Sequence, residues 1–274
     1  MAEYVPFAGK NSIVEAVFGL QFSQPLTSLI ATKFDALQTE FSSDFPKFEK
    51  MQMLQFTFGV PQQSETPVSS PVIGGFNASR FKPDGKASRV LRSMNNTLSA
   101  HFLEYDSWAA TKADALRFLN SCFKVLDLPT SANPITAVSL RFIDRFTFDG
   151  PADRASASSL MRLDTDYVAR IVLERGGQWQ SNSVWTKELS GGQVSNHQLN
   201  IHSGVDSNAF VLVNHNVHLN LPAALSTHDE VLGKGSKSSL EEIFNAQHTS
   251  NVDLLQNLLN PDMLNSIGLE VEAT

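Results

Sequence analysis

The chain has 274 residues, 42% hydrophobic and 18% charged, with a net charge of −7. That apolar share supports a sizeable core and excludes a disordered polyampholyte; the acidic balance argues against non-specific nucleic-acid binding over the whole surface and allows only a local basic patch. A single cysteine, Cys122, excludes an internal disulfide, and there is neither a basic-then-apolar leader nor a run of about 20 apolar residues, so a soluble, cytoplasmic protein is expected.

Residues 12–22 alternate as a strand, with Val14, Ala16, Phe18, Leu20 and Phe22 on one face and Ile13, Glu15, Val17, Gly19 and Gln21 on the other. After Pro25 the period becomes helical, with Leu26, Leu29, Ile30, Phe34, Leu37 and Phe41 in one stripe. Residues 51–60 alternate again through Leu54, Phe56, Phe58 and Val60, and 61–71, with three prolines, read as a loop. Strands are expected at 72–81, 88–94 and 97–105, with a turn at Pro83-Asp84-Gly85. Asp106 or Ser107 is placed to cap a helix whose stripe is Trp108, Ala115, Leu119, Cys122 and Leu126, which makes Cys122 a core residue.

Residues 129–134 form a short linker, and the order then begins again. Asn133-Pro134-Ile135 opens a long strand to Phe148, much as Asn11-Ser12-Ile13 opens the first. A helix is expected over 158–170 and strands over 179–188, 197–202 and 210–221. Ser238 and Glu241 are spaced as a capping box for a helix carrying Leu240, Ile243 and Phe244, with a last helix at 252–259. Two passes, 1–130 and 131–274, each read strand, helix, three or four strands, helix. This order predicts an α+β fold: two similar halves, related by internal duplication, forming one compact unit. The sheet is expected to be long, curved and mainly antiparallel, with helices on one face.

The local words NSIVEAVFGLQF at 11–22, FLEYDSW at 102–108 and LRFIDRF at 140–146 resemble those of a sporadically distributed family of uncharacterised bacterial proteins of similar length. The resemblance covers mainly the first 150 residues and implies a bacterial or phage origin and a cytosolic location. Sporadic distribution is what mobile or defence-associated genes show, and the family carries no catalytic residues to transfer. The doubled element order also resembles TATA-binding-protein-like folds, whose halves join into a curved sheet with helices on the convex side. Such a likeness of fold licenses no function.

If helices cover one sheet face, alternation says which side chains stand on the other. They are Glu15 and Gln21 from the first strand, and Ser139, Arg141, Arg145 and Thr147 from the long strand. Gln198, Asn200, His202, Asn214, Asn216, His218 and Asn220 come from the last hairpin. Of these, Glu15, Gln21, Arg141, Arg145, Asn200, His202, Asn216 and His218 are the candidate ligand-binding residues: many donors and few fixed negative charges suit an anionic or polar ligand. The alternative is an ordinary solvated sheet face. The same alternation leaves Asp144 on the apolar side, where it needs a partner or a nearby bulge.

Other motifs are weaker. His202 and His218 are the one histidine pair that alternation puts on a common face, too few ligands for zinc, and His215 reads as a core histidine. Gly233-Lys234-Gly235-Ser236-Lys237 lacks the spacing of a phosphate loop, and no nucleophile elbow or dinucleotide fingerprint occurs. Trp179 and Trp185 share a strand face and read as core. No catalytic residue, cofactor or metal is expected. The leading reading is a non-enzymatic binding or adaptor protein that holds a partner protein or small anionic ligand on this face, and self-association is also admitted. The alternative is an enzyme acting on a phosphate-containing or nucleotide substrate, with Arg141 and Arg145 on the anion and His202 or His218 as acid or base.

Overall fold

A strand that alternates large apolar with polar side chains buries only one face, so a sheet built from such strands needs a layer of helices on that side. The computed structural model describes residues 3–53, 72–175, 177–189, 193–234 and 239–269. Its first part runs β1 (Tyr4–Pro6), β2 (Ile13–Phe22), α1 (Thr27–Phe41), β3 (Lys47–Met53), β4 (Val72–Phe81), β5 (Ala87–Met94), β6 (Thr97–Phe102) and α2 (Trp108–Leu126). The rest runs β7 (Ile135–Phe148), α3 (Arg170–Arg175), β8 (Gln180–Leu189), β9 (Gln193–Val205), β10 (Ala209–Leu225), α4 (His228–Val231), α5 (Leu240–Leu258) and α6 (Pro261–Ser266). The fold is α+β. Among the described residues, none of the six helices is long and apolar enough to cross a membrane.

Among the described residues, ten strands form one antiparallel sheet in the order β3-β4-β5-β6-β2-β7-β10-β9-β8, with β1 also paired to β7. The two central strands, β2 and β7, pair Phe18 with Leu140 and Leu20 with Val138. Alternation puts Ala16, Phe18, Leu20 and Phe22 on the covered side, together with Leu140, Phe142 and Phe146. There α2 and α5 close over them. Phe18 stacks on Trp108 at 5.7 Å and meets Phe244 edge-on at 5.0 Å, which ties one strand to both helices. Burying each such phenyl ring contributes about 1.5–3 kcal/mol. A second apolar cluster, with Val211, Val213, Leu199, Ile201, Leu254 and Leu258, lies under the end of α5 and α6.

Polar groups fix how α5 sits. Gln247, fully buried, donates Nε2 to the carbonyls of Val138 and Val217, one on each side of the β7–β10 seam. His215 Nδ1 meets Asn251 Oδ1 at 2.9 Å, His197 Nδ1 meets His215 Nε2 at 3.1 Å, and Ser195 Oγ meets His197 Nε2 at 2.8 Å. Trp185 stacks on both imidazoles, and Trp179 joins it among the partly buried residues of the second cluster. Burial holds the two histidines neutral, with pKa values pulled down to about 4.

Several boundaries differ from the sequence reading. Residues 160–169 are not a regular helix; single turns of 3-10 helix at Ala152–Arg154 and Ala157–Ser159 precede the short α3. The capping box belongs to Ser239 and Glu242, one residue later than expected, because Ser239 is the last extended residue before α5. α5 continues unbroken to Leu258, so no separate helix starts at Val252; Pro261 opens α6 instead, behind an Asn260 cap. Of the strand expected at 51–60, residues 51–53 belong to β3, while its apolar set from Leu54 to Val60, with the loop at 61–71, lies outside the described residues. Cys122 is fully buried in the first core cluster.

Candidate functional site

The side of the sheet away from α1, α2 and α5 is organised in cross-strand rows, because antiparallel register puts directly paired side chains on one face. One row runs Arg92, Ser99, Gly19, Ser139, His218 across β5, β6, β2, β7 and β10. Its neighbour runs Val90, His101, Val17, Arg141, Asn216, Gln198 and reaches β9. On the other side, Met94, Thr97, Gln21 and Ala137 form a third row.

The middle of these rows is low. At Gly19 an added Cβ would lie 2.4 Å from Ser139 Oγ, so the serine side chain occupies the space a larger residue would need. Ser99, Ala137 and Ser139 are also small. Longer side chains stand around them: Arg92 and Met94 on β5, and His218, Asn216, Gln198 and Asn200 on β10 and β9. The result is a groove of about 580 Å³, large enough for a small ligand or an extended peptide segment.

Its electrostatics lean one way. No acidic side chain lines the groove among the described residues, whereas Arg92 and Arg141 both do. Glu15 stands just beyond and is clasped from both neighbouring strands. His101 donates Nδ1–H to Glu15 Oε1 at 2.8 Å, and Arg141 donates from Nη2 to Oε2 at 3.2 Å. The His101 hydrogen bond, helped by the Arg141 charge, holds this carboxyl below its ordinary range against the opposing effect of burial. Ser99 Oγ meets the remaining ring nitrogen of His101 at 3.0 Å. Arg141 Nε is buried without a partner among the described residues, so the side chain retains an unfilled donor there.

Of the eight candidate ligand-binding residues, Gln21, Arg141, Asn200, Asn216 and His218 line the groove, and Glu15 adjoins it through Arg141. Arg145 and His202 share the face but sit elsewhere along it. Arg145 pairs with Asp206 from the turn after β9 and lies over the Phe210 ring at 4.3 Å, while His202 meets the edge of the same ring. His202 is paired with Leu212, six residues along β10 from His218 and therefore roughly 20 Å away. The two histidines cannot share a metal ion. Of the residues assigned to phosphate-ester chemistry, only Arg141 and His218 lie in the groove.

Arg92, Met94, Thr97, Ser99 and His101 escaped the sequence reading. The signal existed: Leu98, Ala100 and Phe102 are buried and alternate with Thr97, Ser99 and His101. What was missing was the neighbour relation, since β6 lies beside β2 only through a pairing about 80 residues apart in sequence. Asp144 finds both expected remedies. Ser12 Oγ donates to its Oδ1 at 2.7 Å, and the register of β2 slips between Ile13 and Glu15 beside it. No protein-family model, curated protein or solved structure matches the chain.

Proposed function

We propose that this chain is a non-catalytic binding protein that holds a small anionic ligand, or an acidic segment of a partner protein, in the helix-free groove. One observation carries this reading: a concave surface of about 580 Å³ presents Arg92 and Arg141 with no carboxylate in its lining among the described residues. Gln21, Gln198, Asn200, Asn214 and Asn216 supply amide donors around the two guanidinium groups. Neutral donors beside fixed cations suit phosphate or carboxylate oxygens.

We also propose that the 1–130 and 131–274 passes arose by duplication, in the manner of a TATA-binding-protein-like fold. The strand order supports it. From the central β2–β7 pair, β6, β5 and β4 run outward on one side as β10, β9 and β8 do on the other. The groove then straddles the seam between halves, where a duplicated sheet places its symmetric centre.

The test is calorimetric titration of inorganic phosphate, pyrophosphate, a nucleoside monophosphate and an acidic peptide into the protein and into an Arg92→Ala/Arg141→Ala variant. At least one probe should bind and lose about tenfold or more in affinity in the variant, about 1.4 kcal/mol. No binding by any probe, or equal binding by both proteins, overturns the proposal. Native mass spectrometry of freshly purified protein adds the mass of a retained ligand.

A further inference from the structure

On the helix-covered side of the sheet, a second cavity of about 220 Å³ lies between the start of β2, β7, the segment before α2, α5 and the C-terminal residues Ile267 and Leu269. Asp144 is a wall residue of this cavity and is only 1% exposed. Its Oδ1 accepts from Ser12, but Oδ2 is buried with no partner among the described residues. A carboxyl oxygen withdrawn from water and left unpaired is costly, and natural folds rarely keep one without use. β2 slips register opposite it, so a regular ladder is interrupted at the same place. The remaining wall joins an apolar side, Phe142, Val252, Leu255, Ile267 and Leu269, to polar residues that include Asn11 and Asn251.

We propose that this cavity binds a small organic ammonium ion, whose N–H groups fill Asp144 Oδ2 while its apolar body lies against Phe142, Leu255 and Ile267. The other charged and titratable groups of the lining agree. Asp106, exposed at the rim, adds a second carboxylate, and Lys10, also exposed there, is the one fixed cation of the lining among the described residues. His248 stacks flat on Trp108 at 4.1 Å, and its burial keeps it neutral near pH 7. Tyr105 keeps its phenolic proton, because burial and the nearby Asp144 both oppose ionisation. Two carboxylates against one lysine favour a cation, and an anion would face Asp144 directly. The exposed rim residues mark the way in. This site stands on the opposite sheet face from the groove and does not depend on what the groove binds.

The test uses benzylamine and tyramine as probes, with benzyl alcohol and phenylacetate as controls, in thermal-shift and calorimetric titrations of the full chain. An amine should raise Tm at pH 8, bind about tenfold or more weakly to Asp144→Asn, and bind more weakly at pH 5, where Asp144 takes up its proton. Val252→Phe fills the cavity from α5 with the carboxylate in place and should also abolish binding, so the result stands even if Asp144→Asn does not fold. The proposal is overturned if neither amine binds, if both variants bind as the parent does, or if phenylacetate binds as tightly as benzylamine.

Discussion

Gly19 and Ser139 face each other across the β2–β7 pair so closely that a Cβ on Gly19 would come within 2.4 Å of Ser139 Oγ. The serine hydroxyl is the movable end of a short side chain, so it can rotate away from an added methyl group. Gly19→Ala should therefore change stability by no more than about 1 kcal/mol, since relief of glycine's chain entropy offsets the crowding. The groove nonetheless becomes shallower at its centre. Thermal unfolding should show little change, while calorimetric titration of any anion that binds the parent should show weaker binding.

Glu15 neutralises Arg141 and holds His101 at the same time. Glu15→Gln keeps the shape and removes the charge, leaving the Arg141 guanidinium uncompensated at the groove. Anion affinity should rise in a phosphate titration. Stability should fall by about 1–2 kcal/mol at pH 7, because two partly buried charge-assisted hydrogen bonds weaken. Since the folded carboxyl titrates below its unfolded range, this contribution is present above the unfolded pKa and fades as acid protonates Glu15. The parent and variant unfolding curves should converge at low pH.

Asp144 behaves in the opposite sense. Burial raises its pKa to about 6, so folding favours the protonated acid. Its contribution is most favourable below the unfolded carboxyl pKa and is lost as pH rises through about 6. Asp144→Asn keeps an acceptor for the Ser12 hydroxyl and removes the buried charge. The variant should gain on the parent by about 1–3 kcal/mol in urea unfolding at pH 8 and by little at pH 4.

His197 and His215 give the acid limb of the stability curve. Both are nearly inaccessible, with pKa values near 4, so between about pH 6.5 and 4 the unfolded chain binds more protons than the folded one. Stability then falls as pH falls through that window, and His248 acts in the same direction. Asp144 opposes them with a single proton. Urea midpoints at pH 7 and pH 5 should show a net loss on the order of a few kcal/mol at the lower pH. A flat profile would contradict the buried, neutral pair.

Alternation alone was enough to place Glu15, Gln21, Arg141, Arg145, Asn200, His202, Asn216 and His218 on a common face, because the side-chain period of a strand depends only on the local backbone. The stripe of α2, and its cap to within Asp106 or Ser107, are legible for the same reason: they rest on residues three or four apart, and the structure selects Ser107. The order of the strands is not local. Only the pairing of β2 with β6 brings His101 to Glu15, and only the turn after β9 brings Asp206 to Arg145 and removes that arginine from the groove. The depth of the groove needs Gly19 opposite Ser139, residues 120 positions apart that meet through register. Face is written in each strand by nearest neighbours, whereas row and neighbour come from long-range pairing whose energy is shared across the whole sheet.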